Sequence, residues 1–77
     1  MKINIYGTGC AKCEKTAELV QRALAETGID AEVTKVREVR DIVMAGVMST
    51  PAVSVDGVMK VSGRVPELAE IKGWLGG

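Results

Sequence analysis

The chain contains two cysteines, Cys10 and Cys13, with Ala11 and Lys12 between them. Two thiols at this spacing can exchange between a dithiol and a disulfide, or they can bind a soft metal ion. The chain contains no histidine, which excludes the commonest general base and the mixed Cys/His zinc sites. Any chemistry is therefore expected to depend on the two sulfur atoms.

The residues around the two cysteines place them at the start of a predicted helix. Residues 2–6 alternate between polar and apolar side chains, which predicts a strand, and the Gly-Thr-Gly sequence of residues 7–9 interrupts it. From Cys13 onward, apolar side chains recur at the spacing of an amphipathic helix, and Gly28 is expected to end that helix. The Cys-Ala-Lys-Cys motif therefore spans a predicted helix N-terminus.

This position gives the two cysteines different predicted roles. Backbone N–H groups and the positive end of the helix dipole stabilise an anion and lower the pKa of a thiol, so Cys10 is the predicted nucleophile. Cys13, three residues later, is the predicted resolving thiol, and oxidation would form a Cys10–Cys13 disulfide. Lys12 contributes a positive charge near the thiolate, and Gly9 leaves room for a partner's backbone. We therefore include Gly9 and Lys12 among the predicted substrate-binding residues.

The middle of the chain predicts a second strand and a short second helix. A two-residue period of apolar side chains from Ile29 predicts a strand that runs to about Val36. Val39, Ile42 and Val43 then fit one face of a short helix, although β-branched side chains lower its helix propensity. A strand, a helix and a second strand predict a parallel, right-handed crossover.

The end of the chain predicts a β-hairpin and a last helix. Residues 52–55 and 58–61 are rich in valine and flank Asp56-Gly57, a favoured two-residue hairpin turn. Pro66 is expected to be the first residue of the last helix. The predicted fold is therefore α/β with the order β-α-β-α-β-β-α and a mixed four-stranded sheet flanked by helices.

The composition favours one compact domain over residues 1–77, because 47% of the 77 residues are hydrophobic and 26% are charged. Ten basic and ten acidic residues cancel, which argues against binding to nucleic acid or to a membrane surface. No apolar run approaches the roughly 18 residues of a membrane span, and no export signal precedes the first strand. We expect a cytoplasmic monomer.

Three segments resemble the compact glutaredoxin-like thioredoxins of archaea and bacteria, also called redox-active disulfide proteins. They are residues 7–13 (GTGCAKC), 48–52 (MSTPA) and 62–66 (SGRVP). The resemblance implies a thioredoxin-like fold and a thiol-disulfide oxidoreductase without a cofactor, whose partners are disulfide-containing target proteins and an upstream disulfide reductase. It also implies that Pro51 is cis, lies beside the cysteine pair and leaves the Thr50 backbone free to pair with an extended substrate segment.

One departure from the better-known thioredoxins concerns proton transfer. Thioredoxins place a buried carboxylate in the strand before the motif, where it accepts a proton from the resolving cysteine. No Asp or Glu precedes Cys13 in this chain, so the sequence identifies no proton acceptor for Cys13.

Two alternative functions remain open on the sequence alone. Heavy-metal-associated domains have a similar length and place a CxxC pair after the first strand, but their order is β-α-β-β-α-β. Met44, Met48 and Met59 could be soft ligands for such a metal, whereas core filling or a binding rim is the more ordinary interpretation. The Gly76-Gly77 end resembles the tail of ubiquitin-like sulfur carriers, which begin with a β-hairpin.

Overall fold

The computed structural model describes residues 1–9 and 11–76. The secondary-structure elements, in chain order, are β1 (Lys2–Tyr6), α1 (Ala11–Thr27), β2 (Glu32–Val36), α2 (Val39–Met44), β3 (Ala52–Val55), β4 (Val58–Ser62) and α3 (Leu68–Gly76). The predicted order β-α-β-α-β-β-α is confirmed.

The four strands form one mixed sheet in the order β2-β1-β3-β4. β1 pairs with β2 in parallel and with β3 antiparallel, and β3 pairs antiparallel with β4. The strand-helix-strand unit and the hairpin were both predicted. The sheet therefore has the predicted mixed topology, with β1 and β3 at its centre.

The larger hydrophobic cluster lies on the sheet face that α1 and α3 cover. Alternate residues of the strands meet the apolar stripes of the two helices there. The buried residues of this cluster are Ile3, Ile5, Ala17, Val20, Ala23, Leu24, Val53, Val55, Val61, Ile71 and Leu75. Trp74 is half-buried against the same cluster.

A smaller cluster lies on the opposite face of the sheet, under α2. It consists of Tyr6, Ile42, Val47 and Ala52, with Val36 packed against it. The phenolic oxygen of Tyr6 also lies 3.3 Å from the Ser54 Oγ in a buried hydrogen bond. The side chains of β1 therefore contribute to both faces in alternation, as the two-residue period of this strand predicts.

The bounds of two predicted strands differ from the structure. The second strand begins at Glu32 instead of Ile29, because only residues 32–36 find partners along the five residues of β1. The fourth strand extends to Ser62, and an irregularity in its pairing lies between Val53 and Ser54 of β3. The alternation of apolar residues in the sequence does not predict such a bulge.

Pro66 is not the first residue of the last helix, which begins at Leu68. The Glu70 Oε1 accepts a hydrogen bond from the Glu67 backbone N–H at 3.0 Å, which makes Glu67 the N-cap. The Ile71 N–H donates to the Glu67 carbonyl at 3.1 Å and closes the first turn. The Glu70 carboxylate, three residues after the N-cap, therefore stabilises the start of α3 at Leu68.

The methionines of the second half of the chain do not fill the core. Met44 is 77% exposed, Met48 is 97% exposed and Met59 is 40% exposed. The expectation of core filling is therefore wrong for these three side chains, and a role as a binding rim stays a prediction. Within residues 1–9 and 11–76, no helix is long and apolar enough to cross a membrane.

Candidate active site

Several segments with predicted functional residues meet at one end of the sheet. β1 and β2 are parallel, so they end at the same side, and the antiparallel β3 begins there. Tyr6 is paired with Val36 on one side and with Ala52 on the other, and the Gly7 N–H donates to the Val36 carbonyl at 3.0 Å. Gly7, which precedes the motif, and the Thr50–Pro51 segment therefore lie at the same end of the sheet.

The segment after β4 is attached to the same end. The Gly63 N–H donates to the Pro51 carbonyl at 2.9 Å. Gly63 has a φ of 83°, and a Cβ on it would lie 3.2 Å from the Ser49 Cβ. Residues 62–66 therefore support the Thr50–Pro51 segment directly.

Cys13 is the third residue of α1 and is buried, with 6% of its surface exposed. It packs directly against Gly7, where a Cβ would lie 2.8 Å from the Cys13 Cβ and would overlap the Sγ. Real Cβ atoms do not approach a neighbour so closely. Gly7 is therefore required so that the Cys13 sulfur can pack beneath the loop, a role that the turn signal in the sequence does not reveal.

The first turn of α1 is held by a hydrogen bond behind the motif. The Thr16 side chain is fully buried, and its Oγ1 donates to the Lys12 carbonyl at 2.8 Å. Lys12 itself is exposed. Cys10 lies outside the described residues, so its role as nucleophile and the Cys10–Cys13 disulfide stay predictions.

The predicted substrate-binding residues differ in exposure. Thr50 is exposed, Pro51 is buried and the peptide bond between them is cis, as the resemblance implies. Gly9 is exposed and has a φ of 93°, which only glycine adopts readily. Binding of a substrate by these residues and by Lys12 stays a prediction.

A small recess with a volume of about 10 Å³ adjoins Cys13 between α1 and the ends of β1 and β2. Its lining residues are Ile5, Gly7, Gly9, Cys13, Glu14, Ala17, Lys35 and Arg37. One Arg37 Nη lies 3.6 Å from a Glu14 carboxylate oxygen, and both side chains are more than half exposed. Three charged residues, Glu14, Lys35 and Arg37, therefore line the recess beside the buried Cys13 sulfur.

An ion pair fixes the segment between β4 and α3. The Arg64 guanidinium donates two hydrogen bonds of 2.7 Å to the two Glu70 carboxylate oxygens. These bonds, followed by the Glu67 N–H bond, lower the pKa of Glu70 to about 2. The same carboxylate therefore caps α3 and anchors the loop that contacts Pro51.

The two alternative functions predict features that can be compared with the structure. Among residues 1–9 and 11–76, no group of three or more His, Cys, Asp or Glu side chains could hold a metal ion. The order of the described elements is β-α-β-α-β-β-α, whereas heavy-metal-associated domains have the order β-α-β-β-α-β. β1 is followed by a helix, whereas sulfur carriers begin with a hairpin.

A model of the thioredoxin domain family matches residues 1–76. The chain belongs to the thioredoxin family. A thioredoxin of Methanothermobacter thermautotrophicus is 47% identical over 72 residues, which cover 94% of this chain and 94% of that protein. A thioredoxin of Methanocaldococcus jannaschii is also 47% identical, over 70 residues that cover 91% of this chain and 80% of that protein. The thioredoxin-like fold predicted from the sequence is therefore confirmed for this chain.

Proposed function

We propose that this thioredoxin-family protein is a thiol-disulfide oxidoreductase that works through a dithiol-disulfide pair formed by Cys10 and Cys13. The Cys10 thiolate attacks a target disulfide, forms a mixed disulfide and releases one target thiolate. The Cys13 thiolate then attacks the Cys10 sulfur, forms the Cys10–Cys13 disulfide and releases the second target thiolate. Two electrons pass to the target, and an upstream reductase returns two electrons to the pair.

The observation that carries this proposal is the convergence at the end of the sheet. The first turn of α1, with the buried Cys13, lies at the same end as the Thr50–Pro51 segment. An exposed Thr50 beside a helix N-terminus offers backbone groups to an extended target segment while the target disulfide faces the motif. The arrangement supports attack by a thiolate at the motif and release of the target by the buried thiol of Cys13.

We further propose that the protein works with two kinds of partner in the cytoplasm. The targets are disulfide-containing proteins, and the electron donor is a disulfide reductase. The compartment is the cytoplasm, where a reducing environment keeps a dithiol ready to donate electrons.

The test is a pair of matched cysteine variants. Cys13→Ser removes the resolving thiol, so when the reduced variant is added to a cell lysate whose proteins keep their disulfides, target proteins should remain attached to Cys10. Cys10→Ser has the same change in size and polarity but removes the proposed nucleophile, so it should trap nothing. The wild-type protein should catalyse the reduction of insulin disulfides by dithiothreitol, and both variants should lose that activity.

Two results would contradict the proposal. One is the absence of trapped adducts in a Cys13→Ser protein whose circular dichroism matches the wild type. The other is equal trapping by the two variants, which would mean that the position of the thiol relative to the helix does not matter.

A further inference from the structure

Thr16 is a polar residue in the otherwise apolar buried stripe of α1. The buried residues of the helix that follow it are Ala17, Val20, Ala23 and Leu24. Among the described residues, the buried polar side chains are Thr16, with 0% exposed, and Ser54, with 4% exposed. Valine has nearly the same shape as threonine and avoids the cost of burying a hydroxyl. Packing against the sheet therefore does not account for the hydroxyl of Thr16.

The Thr16 hydroxyl is bonded to the peptide group that joins Lys12 to Cys13. Its Oγ1 donates to the Lys12 carbonyl at 2.8 Å. In an α-helix the same carbonyl also accepts the backbone N–H of the residue four positions later, so the helix does not need the hydroxyl as a partner. The hydroxyl is therefore a second donor to the peptide group that supplies the N–H of Cys13.

The Cys13 N–H lies at the N-terminal end of the helix. Because α1 begins at Ala11, Cys13 is its third residue, and the N–H groups of the first turn point out of the helix. A side chain directly before a helix accepts hydrogen bonds from the N–H groups of its second and third residues. Cys10 directly precedes Ala11 in the sequence, so the Cys13 N–H is a natural donor to a thiolate at that position.

The buried hydroxyl favours an anion at the start of α1 in two ways. Hydrogen bonds in a chain polarise one another, so a second bond to the Lys12 carbonyl makes the Cys13 N–H a stronger donor. The Thr16 O–H also points towards the N-terminus of α1, parallel to the helix N–H groups, so its dipole adds to the positive end of the helix dipole. Because Thr16 is fully buried, water screens neither effect.

We propose that Thr16 is a positioning residue for the first step of disulfide exchange: its hydroxyl, acting through the Lys12–Cys13 peptide group, stabilises the Cys10 thiolate. The inference rests on the proposed function and adds to it a residue outside the motif. The Cys10 thiol loses its proton to solvent, and the thiolate forms a bond with one target sulfur. The bond between the two target sulfurs breaks, and the second target sulfur leaves as a thiolate.

α1 contains a second threonine that provides a matched control. The Oγ1 of Thr27, the last residue of the helix, donates to the Ala23 carbonyl at 2.8 Å, again four residues earlier. Thr16→Val and Thr27→Val each remove one such hydroxyl, whereas Thr16→Ser keeps the hydroxyl next to the motif. In Thr16→Val the Lys12 carbonyl keeps its helix bond, so no buried backbone group loses its last partner.

The measurement is the rate at which iodoacetamide alkylates Cys10 over a range of pH. Each variant is made in a Cys13→Ser background, where Cys10 is the single thiol and the N–H of residue 13 is retained. The variants leave unchanged the charged residues of α1, of β2 with its loop and of the segment after β4 that lie at this end of the sheet: Lys12, Glu14, Lys35, Arg37 and Arg64. A shift in the midpoint therefore reports the hydroxyl.

We expect Thr16→Val to raise the midpoint of the alkylation profile by about 0.3 to 0.7 pH unit, which slows alkylation about twofold to fivefold below the midpoint. Thr16→Ser and Thr27→Val should keep the profile of the background. With both cysteines present and the pH above the midpoint, Thr16→Val should shift the equilibrium with glutathione about twofold to fivefold towards the Cys10–Cys13 disulfide, because the reduced form loses the stabilisation of its thiolate.

The inference is overturned if Thr16→Val keeps the background profile, if Thr16→Ser shifts the midpoint as much as Thr16→Val, or if Thr27→Val shifts it equally. Thr16→Ala, which lacks the hydroxyl and fits the same space, must shift the midpoint in the same direction, and an unchanged midpoint would also overturn the inference. A Cys10 thiol that iodoacetamide does not modify, or a wild-type protein that does not reduce insulin disulfides, would instead contradict the proposed function. The two failures are therefore distinguishable.

Discussion

The two faces of the sheet are packed very differently. α1 and α3, of 17 and 9 residues, cover one face and bury side chains from both helices and three strands. α2 has 6 residues, and Ile42 is its only buried side chain. Val39 and Val43 of α2 are 62% and 66% exposed although both are apolar. Burial of apolar surface, and therefore stabilisation, is concentrated on the first face.

This difference separates the two halves of the candidate active site. Cys13 belongs to α1 and is fixed by the well-packed face. Thr50 and Pro51 lie between α2, on the thinly covered face, and β3, and the Pro51 side chain is fully buried. Regions with few buried apolar contacts open with the lowest free energies, so we expect α2, which precedes the Thr50–Pro51 segment, to open more readily than α1, which holds Cys13.

The largest expected effect comes from removing one isoleucine side chain on each face. Ile71 of α3 is 1% exposed and Ile42 of α2 is 5% exposed. Ile71→Ala should lower the free energy of unfolding by about 3–5 kcal/mol, and Ile42→Ala by about 2 kcal/mol, because the thinner layer relaxes more easily into the cavity. Urea unfolding followed by circular dichroism measures both values.

Val43→Ala is the matched control on the exposed side of α2, and it should change the free energy of unfolding by less than about 0.5 kcal/mol. An equal or larger loss in Ile42→Ala than in Ile71→Ala would contradict the comparison of the two faces. It would mean that α2 contributes as much to stability as α3 does.

A second comparison uses two glycines on the well-packed side. In Gly7→Ala the new methyl group would overlap the Cys13 side chain, so we expect a loss of about 1–3 kcal/mol of unfolding free energy. The reduction of insulin disulfides should slow as well, because Cys13 is displaced. Gly73→Ala meets no atom within 4 Å in α3 and should stabilise the protein by about 0.5–1 kcal/mol. A Gly7→Ala protein as stable as the wild type would show that Cys13 can move without cost.

The sequence predicts the well-packed face better than the thin one. The spacing of apolar residues after Cys13 predicts the apolar stripe of α1, and the residues at that spacing, Ala17, Val20 and Leu24, are buried. The same reasoning applied to α2 identifies the helix but not its exposure, because six residues are too few to define a stripe. Periodicity predicts burial only where the element is long enough to cover the sheet.

The candidate site shows a similar division. The sequence shows two local signals, the motif at residues 10–13 and the Thr50–Pro51 segment. The predicted order of the strands brings these two segments to the same end of the sheet. The close approach of Gly7 to Cys13 and the presence of Lys35 at the recess are not visible, because both depend on contacts between residues distant in sequence.

The smallest expected effect concerns the caps of the helices. α3 is capped by Glu70, whereas the N-cap of α2, Glu38, makes no side-chain hydrogen bond. Because Arg64 holds the pKa of Glu70 at about 2, below its ordinary value of 4.5, the carboxylate stabilises the folded protein fully above pH 4.5. That stabilisation is lost as the pH falls from about 4.5 to about 2. Both partners are partly exposed, so the loss should be modest.

The measurement is the urea midpoint of the wild type and of Glu70→Gln between neutral pH and pH 2.5. Glu70→Gln should be less stable at neutral pH, and the difference from the wild type should shrink towards pH 2.5, because the unfolded carboxyl is protonated there and most of the stabilisation by the ion pair is lost. Glu18→Gln, at an exposed carboxylate of α1 with no ion pair among the described residues, should keep the wild-type slope. Parallel pH curves for wild type and Glu70→Gln would mean that the carboxylate does not anchor the loop beside Pro51, and the stability of α3 would then depend on its apolar face alone.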